Sequence, residues 1–215
     1  MTTFKRFLGA MILSATLEVA ASGQDIAQMA EAVKAQAAGD RFMGSVLVAK
    51  GDKVLFEMNA GLANAEWRIP NSATTKFRLG SVTKQFTATA ILLLEERGKL
   101  SVDDPVGKHI NGVPAAWQPI TLRHLLTHTS GIPDFTELPA NNKEWKFSGL
   151  APSMLVERIR DLPVDFEPGA RFKYSNSGYV LLGWIVELVS GQTYREFVKQ
   201  SIFGPLGMAD SGYDS

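Results

Sequence analysis

The alternation of apolar and polar residues predicts one short sheet near the start of the chain and mostly helices after it. Apolar residues recur at helical spacing over 25–38, which predicts a first helix. Two strand-like runs follow at 44–49 and 54–58, and the polar stretch 50–53 between them predicts a hairpin. Because a two-stranded hairpin is rarely stable alone, we expect helices or further strands to cover it.

The helical part of the chain begins with one long helix. After the hairpin, the segment 61–69 either extends the second strand or forms a loop. A helix is then predicted over 81–97, with Gly98 just beyond its end. A polar and aromatic stretch at 139–148 predicts a long surface loop. Capping residues and apolar spacing predict further helices at 122–127, 152–161, 179–189 and 193–202.

Several polar residues are candidates for helix capping. Asp103 or Asp104 is predicted to cap a short helix that has Pro105 at its first position. Thr121 is predicted to cap the next helix, and Thr193 opens a capping box for the last one. These caps divide the second half of the chain into short helices and loops.

The first residues have the layout of a secretory signal peptide. Lys5 and Arg6 precede a short, mostly apolar run at 8–17, and small residues follow at 20–23. We expect residues 1–21 to be a signal peptide and the mature protein to be periplasmic or secreted; an ordinary amphipathic first helix is the alternative. The apolar run is shorter than the ~20 residues of a membrane-spanning helix, so no stable membrane span is expected after signal removal.

The amino-acid composition argues against some classes of binding partner and site. Of 215 residues, 45% are hydrophobic and 20% are charged, which is typical of a globular domain. Lys and Arg together number 22, as do Asp and Glu, so the net charge is zero. Nucleic acid is therefore not the expected partner, because phosphate binding needs a basic surface. The sequence has no cysteine, which excludes disulfides, thiolate metal sites and a cysteine nucleophile.

Ser81 and Lys84 are the first candidates for chemistry, because they lie three residues apart at the predicted start of a helix. Residues at this spacing share one helix face. A serine hydroxyl is a poor nucleophile until a base takes its proton, and a partly desolvated lysine can be that base. The helix N-terminus favours developing negative charge. Ser-x-x-Lys is nevertheless a common tetrapeptide, so the pair alone does not establish a function.

Tyr174 and Asn176 are a second candidate pair, just before a strongly apolar predicted helix. A tyrosine whose pKa is lowered by a nearby ammonium can act as a general base or acid. The amide of Asn176 can orient Lys84 or a substrate amide. In the alternative interpretation Asn176 caps the helix and Tyr174 packs as an ordinary aromatic residue.

Two histidines suggest a metal site or a triad, but neither pattern is complete. His124 and His128 have the spacing of a shared metal site, yet Leu125 stands where the zinc-protease signature needs a glutamate. Ser81 lacks the Gly-x-Ser-x-Gly elbow of a Ser-His-Asp enzyme. We therefore expect no metal and no cofactor, and we interpret both histidines as structural, with their polar tips bonded to nearby loops.

Four stretches together resemble one known family. The sequence is similar to the serine β-lactamase and penicillin-binding protein-like family, in the branch with class C β-lactamases, D-alanyl-D-alanine carboxypeptidases and related esterases. The similarity extends over residues 25–213. The order and wording of the motifs match at Phe77–Phe86, Ile120–Ile132, Phe166–Gly169 and Tyr174–Tyr179.

The resemblance implies a fold and a set of roles. The fold would be α+β and β-lactamase/transpeptidase-like, with a mainly helical region and an antiparallel sheet. Ser81 resembles the family nucleophile, and Lys84 resembles its partner on the same turn. Tyr174 and Asn176 resemble the catalytic tyrosine and the asparagine of the Tyr-x-Asn motif. The implied reaction is two-step acyl transfer, with the Ser81 backbone N–H as one oxyanion donor.

The sequence departs from the family pattern in its third motif. The family carries Lys-Thr-Gly or His-x-Gly on a later strand, and this motif is not found here. The stretch His128–Gly131 has a superficial likeness, but it follows a predicted helix and lies between the first two motifs. The later strands of the family sheet are missing as well. We therefore expect a β-lactamase-like serine hydrolase domain at 25–215 that is C-terminally incomplete.

Three functions remain open from the sequence. The first is a serine hydrolase that acts on an amide, lactam or ester, in a small molecule or a peptide. The second is a penicillin-binding sensor or binding domain without turnover. The third is an inactive fragment that lacks the third motif.

Overall fold

The structure, a computed structural model, describes residues 23–138 and 151–213. The predicted signal peptide at 1–21 and the predicted surface loop at 139–148 lie outside the described residues, so both stay predictions. Within the described ranges, no helix is both long enough and apolar enough to cross a membrane.

The first of two compact units ends at Phe77 and begins with a helix and a hairpin. Helix α1 spans Gly23–Ala37, and one 3₁₀ turn at Ala38–Asp40 follows it. Strands β1 (Gly44–Lys50) and β2 (Lys53–Ala60) pair in antiparallel orientation, so the predicted hairpin is confirmed. Helix α1 packs against β2, as expected for a two-stranded sheet that needs a cover.

A second, smaller hairpin occupies the segment 61–69, where a strand extension or a loop was expected. Strand β3 (Leu62–Asn64) pairs with β4 (Ile69–Pro70) in antiparallel orientation. The buried Asn71 joins the two ends of this hairpin. Its side chain, just after β4, donates a hydrogen bond of 2.8 Å to the carbonyl of Ala60, just before β3. A contact between residues eleven apart is not visible in local spacing.

The second compact unit starts at Arg78 and contains the long predicted helix. Helix α2 spans Lys84–Glu96, and a 3₁₀ turn at Gly80–Thr83 precedes it. The prediction of a continuous α-helix from Ser81 is therefore wrong in its first turn. A 3₁₀ turn is common at a helix N-terminus, where the tighter hydrogen bonds satisfy groups that lack an α-helical partner.

Four more α-helices follow within the described residues, and the predicted helices are confirmed within a few residues. A π-helical turn at Lys199–Phe203 continues the last of them to its predicted end. The helix predicted over 179–189 begins three residues earlier, because Ser175 caps it. The helices are α3 (Leu122–Leu126), α4 (Pro152–Ile159), α5 (Asn176–Ser190) and α6 (Tyr194–Val198).

Helix α5 lies at the centre of this unit, with α2, α3, α4 and α6 packed against it. A helix with apolar residues on most of its faces is stable only when it is buried. Each fully buried aliphatic side chain contributes about 1.5–3 kcal/mol to folding. The central side chains of α5 have 0% exposure; they are Leu181, Leu182, Ile185 and Val186. This packing fixes where the first turn of α5 lies.

The predicted cap at Asp103 or Asp104 is wrong. Pro105 is itself the N-cap residue of the 3₁₀ turn Val106–Lys108 and has extended backbone angles. Its backbone forms an antiparallel bridge with Thr121, which keeps it outside the helix. The Asp104 carboxylate instead accepts hydrogen bonds from side chains four and five residues later.

The two other predicted caps are confirmed. The Thr121 hydroxyl accepts from the His124 N–H, and His124 Nδ1 accepts from the Thr121 N–H at 3.2 Å. Thr193 and Glu196 form the same reciprocal arrangement at the start of α6. A capping box depends only on residues three apart, which is why local sequence predicts it.

Candidate active site

Ser81 lies in the 3₁₀ turn that leads into α2. Gly80, just before it, has φ of +54°, a left-handed conformation that a side chain would strain. Lys84 is the first residue of α2, one turn after Ser81. Its Nζ lies 3.4 Å from Ser81 Oγ and donates to it. The first two candidate residues are therefore in contact, although the turn that joins them is 3₁₀ rather than α-helical.

Tyr174 presents a second polar group to Ser81. The phenol oxygen lies 2.7 Å from Ser81 Oγ, and either hydroxyl can be the donor. The ammonium of Lys84 lies 4.7 Å from the centre of the Tyr174 ring, within the range of cation–π attraction. Tyr174 is 39% exposed and Ser81 is exposed. The hydroxyl pair therefore faces solvent, where a substrate can reach it.

Asn176 completes the set of predicted site residues. Its Oδ1 accepts a hydrogen bond of 2.8 Å from Lys84 Nζ. The alternative in which Asn176 caps α5 is wrong, because the N-cap is Ser175, whose hydroxyl accepts from the Gly178 N–H. Asn176 is the first residue of the helix, so its side chain is available to the site. All four candidates thus meet where α2 and α5 begin.

Opposing effects set the pKa of Tyr174. Burial alone raises this pKa, whereas hydrogen bonding with Lys84 and Ser81 and the charge of the ammonium lower it. The lowering effects are larger together, so the pKa of Tyr174 lies below the ordinary value of 10.0. The phenolate form is therefore more accessible here than in a free tyrosine.

Asp134 is a site residue that the sequence did not indicate. It is 4% exposed, and its Oδ2 accepts from Asn176 Nδ2 at 2.9 Å and from the Asn176 backbone N–H at 3.2 Å. The only local signal is a carboxylate that directly follows Pro133 in a stretch expected to end a helix. Its partner lies 42 residues further along the chain, which no local pattern reveals.

The segment 128–134 is fixed by the backbone of a later segment, 165–173. Gly131 has φ of +74°, and a Cβ atom there would collide with the carbonyl oxygen of Phe166. Only glycine fits this close approach without a shift of the backbone. Three backbone hydrogen bonds of 2.8–2.9 Å join the two segments: Asp165 to Gly131, Gly169 to Thr129 and Lys173 to His128.

His128 packs under the candidate site. Its ring centre lies 4.6 Å from that of Tyr174, and its Nδ1 accepts from the Ser175 N–H at 3.2 Å. Burial, followed by the charge of Lys84, lowers the pKa of His128 below its usual value, so the ring is neutral at pH 7. Its φ of +58° is uncommon for a residue with a side chain.

The expectation of structural histidines is confirmed for the hydrogen bonds of both rings, since His124 Nδ1 bonds to Thr121 and His128 Nδ1 bonds to Ser175. Contact with Tyr174 places His128 nearer to the candidate chemistry than the sequence indicated. In the part of the chain that the structure describes, no cluster of three or more carboxylate or imidazole side chains is arranged to hold a metal ion.

Comparison with known sequences identifies the family. The Beta-lactamase family profile matches residues 27–215. Penicillin-binding protein 4* of Bacillus subtilis (strain 168) is 40% identical over 174 residues, which make up 80% of this chain and 38% of that protein. The chain spans about two-fifths of the length of the curated relatives that it matches.

Solved structures show the same relationship. A penicillin binding protein from Bacillus halodurans superimposes with a TM-score of 0.73 and 36% identity, over 88% of this chain and 56% of that one. D-amino acid amidase from Ochrobactrum anthropi SV3, complexed with L-phenylalanine amide, gives a TM-score of 0.72 and 29% identity over 86% and 51% of the two chains. The expected α+β, β-lactamase/transpeptidase-like fold is therefore confirmed. Because the family match covers nearly the whole sequence, this chain belongs to the beta-lactamase family, within the serine β-lactamase and penicillin-binding protein-like superfamily.

Proposed function

We propose that this protein is a serine hydrolase that forms an acyl-enzyme through Ser81 on the carbonyl of an amide, lactam or ester. The observation that carries the proposal is the 2.7 Å contact between Ser81 Oγ and the Tyr174 hydroxyl, beside the ammonium of Lys84. A hydroxyl becomes a useful nucleophile when a base lies within hydrogen-bonding distance. Hydrolases among the structural relatives support the same class of reaction.

Acylation starts with Tyr174 as phenolate, stabilised by the Lys84 ammonium. The phenolate takes the Ser81 proton while Oγ bonds to the carbonyl carbon and the carbonyl electrons move to oxygen. The Ser81 backbone N–H is the proposed donor to this oxyanion. When the intermediate collapses, the bond to the leaving nitrogen or oxygen breaks, and Tyr174 gives that atom its proton.

Deacylation reverses these steps with water as the nucleophile. Tyr174, again phenolate, takes a proton from water as the water oxygen bonds to the acyl carbon. The bond to Ser81 Oγ then breaks and Tyr174 returns the proton to Oγ, which restores the resting hydroxyl. Asn176 keeps Lys84 beside both reacting oxygens and is the proposed contact for a substrate amide.

A fluorophosphonate probe tests this proposal without assuming a substrate. The probe should attach to Ser81, and mass spectrometry of the labelled peptide identifies the residue. Ser81→Ala should not be labelled, whereas Ser211→Ala, which removes another exposed hydroxyl, should react like the unmodified protein. Equal labelling of Ser81→Ala and the unmodified protein would show that the nucleophile is elsewhere.

Substrate choice follows from a direct comparison of three carbonyl types. The relatives include penicillin-binding proteins and a D-amino acid amidase, so lactams, D-amino acid amides and peptides are among the classes to compare. Nitrocefin, a D-Ala-D-Ala peptide and a p-nitrophenyl ester cover lactam, amide and ester. We propose that the partner is such a small molecule or peptide.

Acylation without turnover is the second candidate, and the penicillin-binding names of several relatives favour it. The contacts of Ser81 promote formation of the acyl ester but do not determine how fast water removes it. A burst of one product molecule per protein molecule, followed by no further release, would identify a binding or sensor protein. Steady release after the burst would identify a hydrolase.

Export to the periplasm or the exterior is also proposed, on the basis of the signal-like layout of residues 1–23. A fusion of these residues to a reporter that is active only after export tests it. Replacing Lys5 and Arg6 with glutamate in the same fusion should prevent export and serves as the matched control.

A further inference from the structure

We propose that Asp134 is a positioning residue, which fixes the side-chain amide of Asn176 with its oxygen toward Lys84. The inference rests on the proposed function, because the amide that it orients contacts the lysine beside Ser81. Asp134 touches none of the reacting atoms and acts through Asn176.

The Asp134 carboxylate is buried and fully occupied. Oδ2 accepts the two bonds from Asn176, one from the side-chain amide and one from the backbone N–H. Oδ1 accepts from the backbone N–H of Thr136 at 2.8 Å and from its hydroxyl at 2.9 Å. A buried carboxylate is tolerated when hydrogen bonds of this kind replace its water.

This arrangement leaves the Asn176 amide one favourable orientation. An ionised carboxylate only accepts hydrogen bonds, and an ammonium only donates them. Asn176 lies between one of each, with Nδ2 2.9 Å from Asp134 and Oδ1 2.8 Å from Lys84. A flipped amide would place its N–H groups against the ammonium and its oxygen against the carboxylate. Asp134 therefore selects the orientation that holds Lys84 beside Ser81.

Asp134 also brings a negative charge close to the site. Its charge raises the pKa of Tyr174 and the pKa of His128, in opposition to Lys84. Among the residues that the structure describes, the other titratable groups that face Lys84 and Tyr174 are His128, from the segment 128–134, and Tyr179 from α5. Loss of the carboxylate charge alone should lower the pKa of Tyr174, whereas displacement of Lys84 should raise it, and the influence of Lys84 is the larger.

A purely structural role is the alternative, since Asp134 also caps the short turn Phe135–Glu137. Ser177 offers a matched control for that role. Its hydroxyl donates to the Pro133 carbonyl at 2.7 Å and accepts from the Phe135 N–H at 2.9 Å. Ser177 therefore joins the same two segments and is buried, as Asp134 is, but these bonds do not involve the Asn176 amide.

The test measures the rate of fluorophosphonate labelling of Ser81 as a function of pH. In Asp134→Asn the rate at its plateau should fall roughly 10- to 100-fold, because a displaced lysine no longer supports the hydroxyl pair. The rising limb of the profile should move to higher pH, because the lost influence of Lys84 on the pKa of Tyr174 outweighs the lost charge of Asp134. Ser177→Ala should lower the melting temperature and leave the limb where it is.

A double variant separates orientation from folding. Asp134→Asn combined with Asn176→Asp places a carboxylate next to Lys84 and lets the amide at position 134 donate to it, although the backbone N–H of residue 176 then loses its acceptor. This pair should recover part of the labelling rate. If neither Asp134 variant folds while Ser177→Ala does, Asp134 is a folding residue and the inference is wrong.

An NMR measurement keeps the inference testable if Ser81 proves unreactive. In protein with ¹³C-labelled lysine, the Lys84 signal should change its position in Asp134→Asn but not in Ser177→Ala. An unlabelled Ser81 in the unmodified protein would reject the proposed function alone. An unchanged Lys84 signal, or an Asp134→Asn profile that matches the unmodified protein, would reject the positioning role.

Discussion

Two hydroxyl groups, one just before helix α2 and one within it, each contact a tyrosine, and the two contacts have the same length. The Ser81 hydroxyl, in the turn before the helix, lies 2.7 Å from the Tyr174 oxygen; the Thr87 hydroxyl, six residues further on, lies 2.7 Å from the Tyr194 oxygen. The pKa of Tyr174 is lowered and the pKa of Tyr194 is raised. The two hydroxyl contacts therefore have the same length, although the pKa values of the two tyrosines shift in opposite directions.

The difference comes from burial and from Lys84. Tyr194 is influenced mainly by burial, which disfavours its charged form. Tyr174 is also penalised by burial, but the Lys84 ammonium lies 4.7 Å from its ring and reverses the net effect. Thr87 is 5% exposed, whereas Ser81 is exposed. A short hydroxyl contact thus becomes a candidate for chemistry only where a cation and solvent access accompany it.

Removal of the Lys84 ammonium should have the largest effect on the difference between the Ser81–Tyr174 and Thr87–Tyr194 pairs. Lys84→Met should reduce the rate of Ser81 labelling by roughly 10²- to 10⁴-fold, the usual contribution of a proton-transfer group. The rate of probe attachment, measured by mass spectrometry over time, checks this. Lys99→Met, at a lysine just beyond α2, is the control and should label normally. Similar rates in both variants would contradict a role for the Lys84 ammonium.

Replacing each tyrosine with phenylalanine should show that only one of the two hydroxyl pairs affects the labelling rate. Tyr174→Phe should lower the labelling rate by about 10²-fold and abolish the rising limb of its pH profile, because the proton acceptor is gone. Tyr194→Phe should leave the rate and the limb unchanged. A normal limb in Tyr174→Phe would assign the proton transfer to another group.

The Thr87–Tyr194 pair should matter for stability instead. Thr87→Val removes one partner of a part-buried hydrogen bond and should reduce the free energy of unfolding by about 1–3 kcal/mol. Urea unfolding measures this change. In the double variant Thr87→Val with Tyr194→Phe the loss should be smaller than the sum of the single losses, since no polar group is left unpaired. Strict additivity would show that the pair does not interact.

The pH dependence of stability should give the smallest and most specific difference. A lowered pKa means that the folded state releases the Tyr174 proton first, so this residue adds stability as pH rises toward about 10. A raised pKa means that Tyr194 keeps its proton longer, so it costs stability as pH rises above about 10. At alkaline pH, the free energy of unfolding of Tyr174→Phe should lack the gain that Tyr174 provides. The free energy of unfolding of Tyr194→Phe should lack the loss that Tyr194 causes. Identical pH slopes in the two variants would contradict the comparison.

Local sequence predicted the parts of the fold that depend on neighbours three or four residues apart. The cap at Thr121, the capping box at Thr193, the first hairpin and the helices belong to this group. The sequence also predicted the four candidate site residues, because they occur in stretches that resemble motifs. They are Ser81, Lys84, Tyr174 and Asn176.

The parts that were not predicted depend on contacts between distant segments. Asp134 has no motif of its own and gains its role only because Asn176 meets it across 42 residues. The choice of Ser175 over Asn176 as helix cap has a similar origin, since Lys84 and Asp134 both engage the Asn176 amide. The 3₁₀ turn at Ser81 has residue types that are equally compatible with an α-helix.

The separation of the two helix starts along the chain also has a temporal consequence. Lys84 and Asn176 are 92 residues apart, and Ser81 and Tyr174 are 93 apart. A ribosome that adds about 5–20 residues per second makes the serine roughly 5 to 20 s before the tyrosine and asparagine exist. During this interval Ser81 is an ordinary alcohol, because its proton acceptor has not been synthesised. The nascent chain therefore carries the proposed nucleophile in an unactivated form until α5 has folded against α2.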